Sequence, residues 1–366
     1  MGKFLIIFGI FALITSYLVY SLLKQLDVFK NRKLHHDERC KLVPIDMPSE
    51  DLVIFNEYII GASADYINLF HKHLAVDQAK PGHLFTYHPK TSTFAQLKIE
   101  NFPSEFPFNP HGIHLFEDST LYIISHGFSK GGDCVFVIDL SKIDNKIQAK
   151  YKNRIYLGEE HGVYNALTVL SNQYFFITQW IPVPFTDKGR DTGILNELYV
   201  TFYTLLFEAN SVKLCLVLVD QAICSPRAFS YMPNGVVKVN KQLFVADTIS
   251  KSVNIYAITE SFELKFIESI QFSHPVDNIH LNNNVLYVTG IQRTFDFISF
   301  SEEAKSGKPE TKVSSGVSKM WRKGNKWVVE ELVMQDKLSL ATASVLFNNT
   351  LVLSSLVDSS LLMCPL

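Results

Sequence analysis

From about residue 40 onward the chain repeats one pattern: a short apolar run, a polar turn, then a second run in which apolar and polar positions alternate. The pattern is clear at 120–125 ("TLYIIS") followed by 134–140 ("CVFVIDL"), and at 242–247 ("QLFVAD") followed through "TISK" by 252–258 ("SVNIYAI"). It recurs at 285–290 ("VLYVTG") followed through "IQRT" by 295–300 ("FDFISF"), and at 350–355 ("TLVLSS") followed through "LVDS" by 360–364 ("SLLMC"). Weaker copies are "HLFTYHPKTSTFAQL" and "QYFFITQW". Short apolar runs and period-two alternation separated by turn residues read as β-hairpins. Six units over about 320 residues give a period of about 50, that of a propeller blade, so an all-β six-bladed β-propeller is expected. Two insertions interrupt the period, at 184–211 and at 301–326, the second rich in Lys, Ser and Gly and read as an exposed loop. Within the first, "ILNELYVTFYTLLFE" (194–208) is apolar nearly all round. It reads as a helix or strand packed on the propeller, with a membrane-contacting or lid role as the alternative.

The N-terminus breaks the pattern. Residues 4–23, "FLIIFGIFALITSYLVYSLL", carry no charge over twenty positions, and at a rise of about 1.5 Å each they match a hydrocarbon core of about 30 Å. With no polar face, 1–24 reads as a signal anchor or transmembrane helix rather than a buried core helix. The run is longer than the roughly 7–15 apolar residues of a cleaved signal peptide. Val19-Tyr20-Ser21 nevertheless leaves cleavage, and so secretion, as the alternative. Residues 25–39 read as a juxtamembrane linker and 40–366 as the propeller. Two signals conflict on orientation. Lys24, Lys30, Arg32 and Lys33 follow the span while Lys3 precedes it, which favours a cytosolic domain. The sequon Asn348-Asn349-Thr350 accepts a glycan on Asn348 only on the lumenal side. The adopted reading is a single-pass membrane protein with its propeller lumenal or extracellular, in the endoplasmic reticulum or plasma membrane.

Composition narrows the partners. The 366 residues are 47% apolar and 13% aromatic, enough for a large core, and 34 basic against 36 acidic residues leave a net charge of −2. No basic stripe interleaved with aromatics is present, so nucleic acid is not an expected partner. The five cysteines are an odd number. Cys134, Cys215 and Cys224 sit in apolar runs and read as packed core, while Cys40 and Cys364 flank the globular part, where an oxidising compartment would let them close the ring.

Several chemical motifs fail on context. Gly127-Phe128-Ser129-Lys130-Gly131 fits G-x-S-x-G, but a nucleophile elbow needs a helix after the turn, and "GDCVFVIDL" is a strand, so Ser129 is a hairpin serine. His71-Lys72-His73 lacks a third ligand nearby, and no CxxC or HExxH is present, so zinc is not expected. Oxygen-bearing residues at strand ends remain: Ser49-Glu50-Asp51, Asn165 in "HGVYNAL", Asn234 in "YMPNGVV" and Asp277-Asn278 in "HPVDNIH". Singly each reads as a turn residue. Propeller inner strands converge on a central channel, however, where two carboxylates and three amide carbonyls make a hard-oxygen site suited to Ca²⁺. His111, in "FNPHGIHLF", sits between a proline and a glycine at the mouth of a strand, either a turn histidine or a base.

These residues resemble the paraoxonase/arylesterase family, over nearly the whole length from Cys40 to Cys364. The pieces that carry the resemblance are "SEDL" (49–52), "FNPHGI" (108–113), "NG" (234–235), "VDNI" (276–279) and the terminal cysteine pair. The resemblance implies a six-bladed propeller with two calcium ions in its tunnel. Glu50, Asn165, Asn234, Asp277 and Asn278 then match the ligands of the catalytic calcium, and Asp51 and the carbonyl of Ile113 match ligands of a structural one. His111 matches the proposed general base and His126, in "IISHGF", the histidine proposed to relay its proton. Cys40 and Cys364 match the disulfide that closes the ring, and Tyr66, in "GASADYIN", falls at an active-site loop tyrosine. One departure is Asn165-Ala166 where the family has Asn-Asp. The structural calcium thus loses a carboxylate, which weakens its site because ligand charge tunes affinity. The anchor and the 184–211 insertion resemble the membrane-bound invertebrate branch, some of whose members are endoplasmic-reticulum assembly factors for ion channels. The expected function is calcium-dependent hydrolysis of a small ester or lactone. The alternative is a non-enzymatic membrane chaperone for a membrane-protein partner, held in the bilayer by residues 4–23.

Overall fold

The computed structural model describes residues 2–71, 78–127, 132–158, 162–181, 210–307 and 309–366. After helix α1 (Gly2–Gln25) and strand β1 (Lys41–Pro44) comes a sheet of β2–β5 (Ser49–Phe55, Tyr58–Ser63, His83–His88, Thr93–Leu97). The short β6 (Ile99–Glu100) leads into β7–β10 (Pro110–Phe116, Thr120–His126, Asp133–Ile143, Lys146–Tyr156). Next are β11–β14 (Val163–Ser171, Tyr174–Ile181, Asn210–Leu218, Gln221–Ser230) and β15–β18 (Pro233–Val239, Gln242–Asp247, Ser252–Ile258, Leu264–Gln271). The chain ends with β19–β22 (Val276–Asn282, Val285–Ile291, Ser315–Lys323, Lys326–Gln335) and β23–β25 (Ala341–Phe347, Thr350–Ser355, Ser360–Pro365), with helix α2 (Thr294–Lys305) between β20 and β21.

The strands form a β-propeller-like arrangement. Sheets β2–β5, β15–β18 and β19–β22 have four strands each, and β23–β25 takes β1 as its fourth, with Lys41 opposite Met363. A nine-stranded sheet holds β6, β7–β10 and β11–β14, its two antiparallel runs meeting at a parallel pairing of Tyr156 with Gln221. First strands close a ring: β2 packs on β7, then β7 on β11, β11 on β15, β15 on β19, β19 on β23, and β23 back on β2. Apolar layers fill the wedges between neighbouring strand sets. Ile60 and Leu84 meet Ile123 and Phe136, for example, and Leu52 and Phe85 meet Val345 and Val352. Strand alternation follows from this packing, because one period-two face enters each wedge. Tight turns end the hairpins where the sequence places residues that tolerate positive φ, as at Asp144-Asn145, Asn283-Asn284 and Asn348-Asn349.

The disulfide Cys40–Cys364 joins the two ends of the ring across 324 residues. Two sequence expectations need correction. "FDFISF" (295–300) is not the strand that partners β20 but part of α2, and β20 pairs instead with β21, so 301–326 is largely helix and strand rather than loop. Phe-x-Phe-x-x-Phe satisfies both periods, but Asp296, Phe300 and Ala304 recur every fourth residue, and that spacing is buried. Cys215 and Cys224 are not free core thiols: they stand opposite one another on β13 and β14 and form a second disulfide, leaving Cys134 free and buried. The motifs at 71–73 and 127–131 and the segment 194–208 lie wholly or mostly outside the described residues.

Helix α1 is 24 residues long, with the side chains of 2–9 and 18 outside the described residues. Among the described residues no helix is long and apolar enough to cross a membrane. The segment after α1 packs on the β15–β18 and β19–β22 sheets and on α2. Asp27 pairs with Lys251 at 2.6 Å, Arg32 with Asp296 at 3.0 Å, and Lys30 donates to the Gln292 carbonyl at 2.8 Å. Gln292 clamps the Lys33 backbone from both sides, accepting its N–H and donating to its carbonyl, each at 2.8 Å.

Candidate functional site

All six first strands lose register near their start. The slip falls at Glu50 in β2, His111-Gly112 in β7, Asn165-Ala166 in β11, Asn234-Gly235 in β15, Asp277-Asn278 in β19 and Thr342 in β23. A bulged residue leaves the ladder and its side chain is re-aimed. Repeated around the ring, the bulge turns one polar residue or more from each first strand toward the same place. Two glycines let the strands come close enough: a Cβ on Gly112 would stand 2.2 Å from the Asn165 carbonyl oxygen, and one on Gly235 2.6 Å from the Asn278 Cα. This explains why a glycine follows His111 and Asn234.

The structure brings the expected ligands together. Glu50, Asn165, Asn234 and Asn278 are at most 6% exposed. Asn278 Nδ2 donates to Glu50 Oε1 at 2.6 Å, and Asn165 Nδ2 lies 3.2 Å from His111 Nε2, itself 3.8 Å from Glu50 Oε1. Four enclosed oxygens then have no hydrogen-bond donor: Glu50 Oε2, Asn165 Oδ1, Asn234 Oδ1 and Asp277 Oδ1. Buried acceptors are normally satisfied, so four orphans in one bulge ring require an explanation. Burial foremost, then Asp51 and Asp277, holds the Glu50 carboxyl well above its ordinary range. Burial followed by Asp51 pushes Asp277 up to about 8, offset by Asn234. Orphaned hard oxygens on carboxyls that resist ionising alone are the chemistry of a cation cradle, and the residues present fit calcium. Among the described residues no three His, Cys, Asp or Glu group to hold a metal by themselves, so a cation here would need the amide oxygens as well.

Asp51, next to Glu50, has a different fate. Its Oδ1 accepts the Leu52 N–H at 2.8 Å and its Oδ2 the Ile113 N–H at 2.9 Å. Ala166 packs in an apolar layer with Phe176, Val212 and Val236. Thr178 secures that neighbourhood, accepting the Ala166 N–H at 3.0 Å and donating to the Asn234 carbonyl at 2.7 Å.

His111 and His126 are neighbours, their rings edge to face at 4.9 Å between centroids. Phe70 lies 5.4 Å from each ring, and Tyr66 lies 5.7 Å from His111 while its hydroxyl donates to the Pro110 carbonyl at 2.6 Å. Burial foremost, and next the neighbouring His126 imidazole, hold His111 well below the usual imidazole range, which favours its neutral form. Thr342, Thr178, Phe70 and Asp133 escaped the sequence reading. Thr342 donates to the Glu50 carbonyl at 2.7 Å; it occupies the sixth bulge, and the repeat of bulges was the signal that would have found it. Asn348 is exposed in the β23–β24 turn, open to modification.

No family model matches the chain. Solved structures similar to it include a protein designated 6-phosphogluconolactonase from Bacteroides uniformis, at 10% identity and TM-score 0.46, covering 82% of this chain and 90% of that one. Virginiamycin B lyase from Staphylococcus aureus is similar at 11% identity and TM-score 0.43, covering 90% and 99%. The computationally designed protein Ika8 is similar at 8% identity and TM-score 0.42, covering 89% and 98%. Likeness at this level says nothing of activity or substrate.

Proposed function

We propose that the protein is a calcium-dependent hydrolase of esters or lactones, of the paraoxonase/arylesterase type, with β7–β10 and β11–β14 counted as two blades of six. The observation that supports this most is the set of four donor-less oxygens on Glu50, Asn165, Asn234 and Asp277, with a neutral histidine beside them. One calcium ion suits this cradle. Held by Glu50, Asn165, Asn234, Asp277 and Asn278, it would supply Lewis-acid polarisation of the substrate carbonyl and charge stabilisation at its oxygen. His111 Nε2, on the cradle side, takes a proton from the attacking water as the new O–C bond forms. The Nδ1 proton of His111 passes in turn to Nε2 of His126. As the C–O bond to the leaving alkoxide breaks, the proton returns to that oxygen by the same path. Tyr66, Phe70 and the buried wall around the rings keep bulk water away from this transfer. Detergent-solubilised full-length protein is expected to hydrolyse lactones or aryl esters, to lose activity with chelator and to regain it with calcium. Asn234→Ala is expected to abolish it. Activity indifferent to chelator, or full activity in Asn234→Ala, overturns the reading.

Anchoring by α1 with a lumenal propeller completes the proposal. Lys30, Arg32 and Lys33, which argue for a cytosolic domain in sequence, are engaged by the folded propeller. In the membrane fraction of secretory cells the protein is expected to carry an endoglycosidase-sensitive glycan that Asn348→Gln removes. No glycan on the wild type refutes the lumenal placement, and release by alkaline extraction refutes the anchor.

A further inference from the structure

A buried carboxylate stands behind the histidine pair. Asp133 opens β9 directly opposite His126, the last residue of β8, so both side chains project from one face. Its Oδ2 lies 3.0 Å from His126 Nδ1, an ion-pair approach in which the ring N–H is not yet aligned on the oxygen, with Asp133 6% exposed and His126 fully buried. The same Oδ2 accepts the N–H of Tyr164 at 3.3 Å, reaching across to β11 beside Asn165. The Asp133 carbonyl accepts the Leu157 N–H at 3.1 Å, fixing the backbone that carries it. Phe70 stands edge to face against His126, closing the other side of the ring. Enclosing a carboxylate is costly unless an adjacent group shares its charge. Here that group is an imidazole which itself touches His111.

We propose that Asp133 is a positioning residue of this site: its carboxylate holds His126 as the Nδ1–H tautomer and fixes its ring against His111. The inference rests on the hydrolase reading above. With the Nδ1 hydrogen kept on the side of the Asp133 carboxylate, Nε2 carries the lone pair and is the nitrogen that receives the proton from His111. When it arrives, both imidazole nitrogens bear hydrogen and the carboxylate lies beside the new charge; when it leaves, the original tautomer is restored. No bond to Asp133 changes, and Asp133 keeps its charge throughout. The contact to Tyr164 ties this carboxylate to the strand that presents Asn165, so the relay and the cradle share one brace.

Asp133→Asn keeps the shape and removes the charge. Expected is a fall in kcat for lactone hydrolysis of about 10²–10³-fold with KM within about twofold, since the residue meets no substrate. Asp133→Glu is expected to recover part of that loss. In a His126→Gln background Asp133→Asn is expected to have no further effect on kcat, because the residue it positions is gone. Independently of turnover, ¹⁵N shifts of the His126 ring in calcium-free protein report an Nδ1–H tautomer in the wild type and its loss in Asp133→Asn. A kcat within about threefold of wild type in Asp133→Asn, or an unchanged tautomer, overturns the proposal. Absence of hydrolysis in the wild type itself refutes the hydrolase reading instead, and the tautomer measurement still decides whether Asp133 holds His126.

Discussion

Glu50 and Asp51 are consecutive carboxylates on one strand, and the fold gives them opposite environments. Glu50 occupies the bulge of β2 and keeps an oxygen with no donor in the cradle. Asp51 is back in register, and both its oxygens are held by backbone N–H groups of Leu52 and Ile113. The acid count is the same at each position; the supply of donors differs. A metal cradle is recognised by acceptors left without donors, because an oxygen already holding an N–H gains less from a cation. Ala166 sharpens the contrast: in place of a second carboxylate near Asp51, the chain packs a methyl group into an apolar layer.

The largest expected effect comes from taking the cation away. Burial raises Asp277 to about 8 and Asp51 to about 7, and holds Glu50 high as well. As pH rises the unfolded chain releases these protons first, from about pH 4. Metal-free stability contributed by these groups is therefore lost between about pH 4 and 8. His274, which is buried, and His114 and His280, which are half-buried, are lowered to about 4 by desolvation and act oppositely, losing stability as pH falls below about 6.5. Between pH 6.5 and 8 the carboxyls dominate, each at most about 1.4 kcal/mol per pH unit. The melting temperature of chelated protein is expected to fall over that window. Calcium at a hundredfold excess over its Kd contributes about 2.7 kcal/mol and raises the midpoint more at pH 8 than at pH 6.5. Glu50→Gln is expected to melt higher than wild type under chelator at pH 8 and to lose the calcium response. Calorimetry showing equal calcium shifts at both pH values, or a full response in Glu50→Gln, erases the distinction between the two carboxylates.

The same contrast shows what the sequence could disclose. Strand alternation and turn residues such as Asn283-Asn284 made the hairpins legible, since burial in a wedge forces period two. His111, Asn165, Asn234 and Asp277-Asn278 read singly as turn residues and are set together by the resemblance to a known family; each falls at a register shift of its first strand. Features that depend on register between distant residues stayed hidden. Cys215 meets Cys224, and His126 meets Asp133, through strand pairings that nothing in either residue's neighbourhood announces. Helix α2 stays hidden because the six residues of 295–300 have a mixed apolar spacing that fits both periods, and only the packing of Phe300 and Ala304 decides between them.

The smallest effects test the second position directly. Ala166→Asp sets a carboxylate beside Asn165 on the same bulge, within the apolar layer that now holds a methyl group. That substitution is expected to lower metal-free stability by about 1–3 kcal/mol for the buried polar group. Equilibrium dialysis is expected to show one bound calcium in wild type and a second, weak one in Ala166→Asp, with Kd of about 10⁻⁴–10⁻³ M, typical of low-charge sites. Asp51→Asn in the wild-type background keeps one acceptor for the Leu52 and Ile113 amides and loses the other. Its expected cost is about 1 kcal/mol, with calcium affinity of the cradle within about threefold of wild type. Should Asp51→Asn instead release the one bound calcium, Asp51 belongs to the cradle despite its backbone donors. The rule that separates it from Glu50 then fails, because a lone pair engaged by an N–H would have proved as good a ligand as a free one.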